Sequence, residues 1–219
     1  MSMKSKYSTV AEVATQYLCN SCGACSLVCP VDAIRFEETV GGYIFPKVDT
    51  EQCVDCGRCT AVCPGFHFGE HLTEVLPDDP FIGQARQCFI GRAKDNAIFK
   101  NSQSGGIVTG ILLQALVDKR IDAALVTVMK PGRRPRPVAT LATTKREIMA
   151  AQKSKYSPVP LLQALRDALN RDRRIGIVAL PCHLHGLNNV LDLNPSLRKS
   201  IEFTIGLVCD RVMTAAGTD

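Results

Sequence analysis

Eight of the eleven cysteines in this 219-residue chain fall into two copies of one spacing. The first run is Cys19, Cys22, Cys25 and Cys29 followed by Pro30, and the second is Cys53, Cys56, Cys59 and Cys63 followed by Pro64. Three thiolates separated by two residues each on a tight loop can hold one side of a 4Fe-4S core, whereas a fourth must come from elsewhere. The spacing therefore predicts two iron-sulfur clusters.

The two runs resemble those of bacterial two-cluster ferredoxins, in which the fourth ligand of each cluster comes from the other run. The resemblance implies one cluster held by Cys19, Cys22, Cys25 and Cys63, and a second held by Cys53, Cys56, Cys59 and Cys29. Gly23 and Gly57 follow the second cysteine of each run, where the absence of a Cβ lets backbone amides turn towards the cluster sulfurs.

Two other uses of cysteine predict different patterns. Structural zinc is usually held by two separated Cys-x-x-Cys pairs rather than by a triple run that ends in Cys-Pro. Disulfides require an oxidising compartment, and no apolar signal segment precedes Cys19. The spacing favours clusters over both alternatives.

The composition indicates where in the cell such a chain is expected. No run approaches the roughly 20 consecutive apolar residues that a membrane span requires, so we expect a soluble protein of a reducing cytoplasm. The formal net charge is +5, which ligating thiolates and cluster cores would lower to about +1. The charge carries no inference about nucleic acid, and no nucleic-acid partner is expected.

The pattern of apolar residues divides the chain into two parts and predicts an α+β protein. Residues 1–72 form a ferredoxin-like domain with a hairpin over 31–36 and 43–48, residues 73–86 a linker, and residues 87–219 an α/β domain with a mixed sheet. Within the second part, strands are predicted at 88–91, 123–128, 138–142, 175–180 and 203–208, and helices at 105–119, 144–152, 158–170 and 183–191. Cys88, at the start of the first of these strands, is predicted to lie in the core.

Two turns in the second part attract a phosphate-binding interpretation. Ser104, Gly105 and Gly106 open a helix, where Ser104 could cap the first turn and the glycines could let a phosphate approach free amides. Lys155, just before another helix, could pair with a phosphate or an anionic flavin ring. The alternatives are an ordinary capped helix and a solvated lysine.

A third turn places Cys182 where a strand runs into a helix. A thiolate there is favoured by the helix dipole, which suits a metal ligand or a redox thiol, although a buried and inert cysteine is equally consistent. Cys209, at the end of the last predicted strand, has the same ambiguity.

Taken in order, these elements resemble the family of beta subunits of coenzyme F420 hydrogenases and dehydrogenases. The shared order is two ferredoxin runs, Ser-Gly-Gly opening a helix, Ser-Lys-Tyr, Leu-Pro-Cys-His-Leu-His-Gly-Leu and Ile-Gly-Leu-Val-Cys. The family also includes formate dehydrogenase beta subunits and 7-hydroxymethyl chlorophyll a reductase. On the matching positions, the resemblance implies that Ser104, Gly105, Gly106 and Lys155 belong near a flavin, with Cys182 near the flavin or an additional cluster.

What the resemblance implies is an iron-sulfur flavoprotein oxidoreductase. FAD would exchange hydride with a deazaflavin or similar coenzyme and single electrons with the two clusters, which serve a partner protein or a hydrogenase or dehydrogenase subunit. Family members normally continue past the segment that matches Cys209, so the α/β domain is expected to be truncated at its C-terminus. The alternative is a flavin-free electron-relay subunit or fragment. The resemblance names no general acid or base.

Overall fold

The computed structural model describes residues 8–67, 85–169 and 173–218 of the chain. Most of the predicted linker, residues 73–84, lies outside these ranges. The predicted domain boundaries therefore stay predictions.

The N-terminal part builds its two cysteine runs around one hairpin. Its elements are α1 (Val10–Thr15), α2 (Ala24–Val28), β1 (Ile34–Glu38), β2 (Ile44–Val48) and α3 (Arg58–Ala61). β1 and β2 pair antiparallel, with Ile34 opposite Val48, as the alternating sequence predicted. Gly42 in the connecting turn has a φ of +76°, a conformation that favours glycine.

The second part contains a mixed four-stranded sheet. Its strands are β3 (Ala123–Lys130), β4 (Arg136–Ala142), β5 (Ile175–Ala179) and β6 (Ile201–Gly206), in the order β4-β3-β5-β6. β3 pairs antiparallel with β4 and parallel with β5, and β5 pairs parallel with β6. The carboxyl ends of β5 and β6 consequently lie side by side. The predicted fold class is confirmed.

Helices cover this sheet and connect its strands. The α-helices are α4 (Asn96–Asn101), α5 (Ile107–Val117), α6 (Lys145–Ala150), α7 (Arg166–Leu169) and α8 (Pro181–Leu193), and 3₁₀ segments occupy Leu161–Leu165, Pro195–Ser200 and Ala215–Thr218. α6 begins with a capping box, in which the Thr144 hydroxyl accepts from the Glu147 amide and the Glu147 carboxylate accepts from the Thr144 amide. The helix predicted at 158–170 is thus a 3₁₀ segment that continues into one short α-helix.

The predicted strand at 88–91 is wrong. The segment has no regular structure, and Cys88, predicted to lie in the core, is exposed. Phe89 is 85% and Ile90 107% exposed. A run of three apolar residues cannot by itself distinguish a buried strand from an extended surface segment.

One hydrophobic core joins the two parts of the chain. Cys22, Ala24 and Val62 of the cysteine runs pack in the same buried cluster as Leu162 and Leu187 of the α/β part. Leu162 N–H also donates to the Cys22 carbonyl, at 3.0 Å, and the Asn189 side chain donates to the Val62 carbonyl, at 3.3 Å. The first cysteine loop is therefore held directly against the α/β part.

Candidate metal centre

Two cavities are lined by cysteines from both runs. Cys19, Cys22, Cys25 and Cys63 line the first cavity, and Cys29, Cys53, Cys56 and Cys59 line the second. Each cavity thus combines three cysteines of one run with the last cysteine of the other, the arrangement that the resemblance to ferredoxins implied.

The rest of each lining is mostly apolar. Val10, Val13, Phe36 and Pro46 contribute to the first cavity, and Val31, Ile34, Val48 and Val54 contribute to the second. In the described ranges, no group of three or more His, Cys, Asp or Glu side chains could hold a single metal ion. Four sulfurs around a walled cavity fit a larger core that is bound at several iron atoms, so the donor set suits a 4Fe-4S cluster.

Left-handed glycines shape both cysteine loops. Gly23 and Gly57 have φ values of +89° and +70°, and each precedes a short helix that carries the third cysteine of its run. A Cβ on Gly23 would lie 2.8 Å from the backbone nitrogen of Gln163, so this loop approaches the α/β part too closely for any side chain. A Cβ on Gly57, by contrast, would meet no other atom within 4 Å.

Backbone amides point at several of the sulfurs. Ser21 N–H lies 3.3 Å from the Cys19 sulfur, and Ala33 N–H lies 3.3 Å from the Cys29 sulfur. Amide donors stabilise negative charge on sulfur, both in a free thiolate and in a ligand to iron. The loops therefore supply part of the polar surroundings that a cluster needs.

Burial opposes ionisation of the thiols in the first cavity. It raises the pKa of Cys19 to about 11, and it raises the pKa of Cys22, Cys25 and Cys63 as well. Iron reverses this preference because its positive charge favours the thiolate, so binding of a cluster must release protons.

Two of the turns for which the sequence suggested phosphate or flavin binding, those of Ser104 and Lys155, lie close together. The Gln103 side-chain oxygen accepts a hydrogen bond from Ser154 N–H, and Asn101 donates to the Gln152 side chain at 2.7 Å. These contacts bring the Ser104 turn beside the segment that carries Lys155. The structure therefore unites two sets of residues that lie about 50 positions apart in sequence.

The role predicted for Ser104 as a helix cap is wrong. The cap residue of α5 is Gly106, with a φ of +70° and no side-chain hydrogen bond to the first turn, while Ser104 is exposed. A Cβ on Gly105 would lie 2.7 Å from the Gly91 carbonyl oxygen, so this glycine is needed for packing against the chain itself. The first-turn amides of α5 have no side-chain cap, which is compatible with a phosphate there.

Lys155 is not a solvated lysine, because its ammonium is bonded to the chain itself. Its ammonium donates to the carbonyls of Ala151, Gln152 and Lys153 at the end of α6, at 2.7 Å for each of the last two. Burial lowers its pKa to about 8. As the structure stands, Lys155 stabilises the C-terminus of a helix.

Cys182 and Cys209 follow the carboxyl ends of the neighbouring parallel strands β5 and β6. Burial raises the pKa of Cys182, and the nearby Cys209 thiol adds to the rise. Cys182 in turn contributes to the raised pKa of Cys19 and Cys22. The helix that this turn opens approaches the first cavity, since a Cβ on Gly186 would lie 3.2 Å from the Cys22 sulfur. The turn itself lies at the strand ends where open α/β sheets usually bind ligands.

His183 fixes the backbone next to Cys182. Its Nδ1 accepts from Leu180 N–H at 3.2 Å, so its Nε2 carries the proton and donates to the Val159 carbonyl at 3.2 Å. Burial lowers its pKa to about 4. The imidazole is neutral at pH 7 and ties the Cys182 turn to the segment that follows Lys155.

Three residues that the sequence analysis did not single out connect the cysteine runs to the α/β part. They are Arg166, Gly186 and Asn189. Gly186 belongs to the Leu-Pro-Cys-His-Leu-His-Gly motif, so its place in that pattern was an available signal. Arg166 and Asn189 bond to backbone atoms more than 120 positions away, and nothing local in the sequence indicates such partners.

Comparison with known proteins adds an independent line of support. Residues 18–65 match a 4Fe-4S dicluster domain. Residues 88–166 and 172–219 match the N-terminal and C-terminal models of the coenzyme F420 hydrogenase/dehydrogenase beta subunit. These matches indicate an oxidoreductase family whose members combine an iron-sulfur domain with a beta-subunit domain, and the two four-cysteine cavities agree with the iron-sulfur match.

The two beta-subunit matches together cover more than half of the chain. The chain belongs to the family of coenzyme F420 hydrogenase/dehydrogenase beta subunits, as the order of its motifs indicated.

Individual relatives agree with this assignment. The chain is 30% identical over 213 residues to one subunit of the F(420)H(2) dehydrogenase of Methanosarcina mazei, a match that covers 91% of this chain and 55% of the relative. It is 28% identical over 138 residues to the beta subunit of the coenzyme F420 hydrogenase of Methanosarcina barkeri, covering 60% and 47%. The chain thus spans about half the length of these relatives.

A solved structure of the F420-reducing [NiFe] hydrogenase complex from Methanosarcina barkeri matches with a TM-score of 0.49 and 26% identity. This match covers 54% of the present chain and 42% of the chain in that complex.

In the described part of the chain, no helix has the length and apolar character needed to cross a membrane.

Proposed function

We propose that this chain carries electrons through two 4Fe-4S clusters between a hydride-donor coenzyme, F420 or a similar compound, and a redox partner protein, with FAD as the converter. The observation that carries the proposal is the pair of cavities, each lined by four cysteines in the crossed arrangement of two-cluster ferredoxins. The ligands are Cys19, Cys22, Cys25 and Cys63 at the first site, and Cys53, Cys56, Cys59 and Cys29 at the second.

The positions of the two sites favour an order for the relay. Cys22 and Cys25 at the first site are buried, and Cys22 packs in the core shared with the α/β part. At the second site Cys56 is exposed, and its neighbour Val54 is 59% exposed. The first site is therefore the inner cluster site, which faces the coenzyme. The second is the outer cluster site, which faces the partner.

FAD supplies the conversion between a hydride, which delivers two electrons, and clusters that accept one electron each. In this proposal the uncapped first turn of α5, with Ser104, Gly105 and Gly106, receives a phosphate of the cofactor. Lys155 lies beside this turn, and Cys182 lies next to the first cluster site. To meet an anion, Lys155 must exchange one of its carbonyl partners for the ligand.

A flavin-free relay is the second candidate, and a specific observation favours it. The Lys155 ammonium is already satisfied by three carbonyls, and Gly105 is packed against the Gly91 backbone. In this case the chain holds both clusters, and the flavin belongs to a partner. Two named relatives are subunits of a dehydrogenase and a hydrogenase, which makes a partner subunit of one of these classes the natural acceptor or donor.

The deciding experiment is anaerobic isolation of the chain with iron, acid-labile sulfide and flavin measured on the same sample. About eight irons and eight sulfides per chain are expected from two four-cysteine sites. Reduced F420, NADH and NADPH are then added in turn while the visible spectrum is followed.

Each outcome has a definite meaning. If the chain holds two clusters and stoichiometric FAD, and one donor bleaches its visible absorbance, the flavoprotein proposal is supported. Two clusters without FAD, unchanged by all three donors but reduced by dithionite, support the relay. A chain that binds no iron after anaerobic reconstitution overturns both.

A further inference from the structure

Arg166 connects the α/β part to the end of the first cysteine run, where Cys29 belongs to the outer site. It begins α7 directly after Leu165, which is fully buried in the shared core and fixes the start of the arginine side chain. From there the side chain reaches the C-terminal end of α2. This helix ends at Val28, immediately before Cys29, the residue of the first run that lines the second cavity.

The guanidinium meets that loop at three points. One of its terminal nitrogens, Nη2, donates to the carbonyl oxygens of Ser26 and Cys29, the latter at 2.9 Å. The other, Nη1, lies 3.2 Å from a carboxylate oxygen of Asp32. A fixed positive charge is therefore bonded to the backbone of a proposed cluster ligand.

Solvent screens the two charges of this ion pair unequally. The Arg166 side chain is 29% exposed, whereas the Asp32 side chain is 73% exposed. In addition, the Arg166 Nε is buried and has no hydrogen-bond partner among the residues that the structure describes. Water screens the carboxylate more strongly than the guanidinium, so a net positive field remains at Cys29.

We infer that Arg166 is a positioning residue that raises the reduction potential of the outer cluster, the one that Cys29 helps to hold. Reduction adds one negative charge to a cluster, and a nearby positive charge stabilises the reduced form more than the oxidised form. The bonds to Ser26 and Cys29 also hold the ligand loop in place. This inference rests on the proposed cluster ligation, and it assigns Arg166 a function that an inter-domain ion pair alone does not have.

The test is a redox titration of the anaerobically isolated chain followed by electron paramagnetic resonance. The variants are Arg166→Gln, which removes the charge, and Arg166→Lys, which keeps it. We expect Arg166→Gln to lower one of the two midpoint potentials and leave the other in place, so that at a fixed ambient potential the reduced fraction of one cluster falls several-fold. Arg166→Lys should restore most of the wild-type potential.

Arg136→Gln is the matched control. Arg136 forms a two-point ion pair with Glu38 of β1, at 3.0 Å for both contacts, and so also joins the two parts of the chain. Neither partner is a lining residue of the cysteine cavities. Both midpoint potentials should stay at their wild-type values in this variant.

Three results would overturn the inference: wild-type potentials in Arg166→Gln, equal shifts in Arg166→Gln and Arg136→Gln, or an equal shift in Arg166→Lys and Arg166→Gln. If Arg166→Gln does not retain its clusters, Asp32→Asn decides, because removal of the exposed carboxylate should raise the same potential. An unchanged potential in Asp32→Asn then counts against the inference. A wild-type chain without iron overturns the proposed function and this inference together, whereas two clusters with unmoved potentials overturn this inference alone.

Discussion

Gly186 in α8 lies so close to Cys22 that a Cβ on the glycine would be 3.2 Å from the cysteine sulfur. The same Cβ would lie 3.1 Å from the Cβ of Ala24. These distances are shorter than ordinary van der Waals contact, so a methyl group at this position would push its neighbours away by a few tenths of an ångström. The α/β part and the first cysteine loop therefore meet closely at a glycine of the helix that begins with the Leu-Pro-Cys-His turn.

We expect Gly186→Ala to destabilise the chain by about 1–2 kcal/mol. Replacing a helical glycine with alanine gains up to about 1 kcal/mol, but overpacking costs typically about 1–3 kcal/mol. Gly110 in α5 is the matched control, because a Cβ there meets nothing within 4 Å; Gly110→Ala should be neutral or stabilising. Denaturant unfolding of both anaerobic variants measures the difference, and equal stability changes would contradict the close approach.

The crossed ligand sets predict the effect of removing one exposed cysteine. Cys56→Ala should reduce the iron content from about eight to about four per chain, because it deprives only the outer site of a ligand. It should also lower the stability of the N-terminal part, since metal binding there is coupled to folding. Cys88→Ala, at an exposed cysteine outside both cavities, is the control and should retain all the iron. A Cys56→Ala variant with eight irons would show that the ligand assignment is wrong.

The sequence predicted those features that short segments determine. The hairpin and four of the five strands follow from alternation and from β-branched runs. The spacing of the cysteines predicted clusters, and the resemblance of the two runs to two-cluster ferredoxins implied the crossed sets that line the two cavities. The strand at 88–91 failed because burial decides whether a short apolar run joins a sheet. Phe89 and Ile90 are exposed instead.

Three contacts of the candidate sites, two local and one long-range, were not predicted from the sequence. Lys155 donates to the helix end that precedes it, a contact that its sequence neighbours did not indicate. Gly106 replaces Ser104 as the cap of α5 because the left-handed backbone at that position favours glycine. The bond from Arg166 to Cys29 depends on how the two parts of the chain pack, which no local pattern encodes.

Gly42 provides a test of how the C-terminal segment is held. Ala215 N–H donates to the Gly42 carbonyl at 2.7 Å, and a Cβ on Gly42 would lie 2.4 Å from the backbone nitrogen of Ala216. Because Gly42 also has a positive φ, Gly42→Ala should cost about 1–3 kcal/mol. It should also release the segment from the hairpin.

Hydrogen exchange of the Ala215 amide measures that release, and it should accelerate in Gly42→Ala. Gly41→Ala is the neighbouring control, since the atoms nearest to its Cβ would be those of the Tyr43 ring, at 3.3 Å, and the Thr39 hydroxyl, all within the hairpin turn. Unchanged exchange at Ala215 in Gly42→Ala would mean that the segment is held by other contacts.

His183 makes the stability of the chain depend on pH below neutrality. Its pKa in the folded chain is about 4, lowered from an ordinary value of 6.5 by burial. As the pH falls from 6.5 towards 4, the unfolded chain binds a proton that the folded chain excludes, so stability is complete above pH 6.5 and is lost on acidification. Between pH 7 and pH 5 the loss should be about 2 kcal/mol. Denaturant unfolding at both pH values should show this loss in the wild type and a smaller one in His183→Gln, whose amide does not titrate. An equal loss in both proteins would assign the acid sensitivity to other groups and remove His183 as the residue that holds the Cys182 turn in its neutral form.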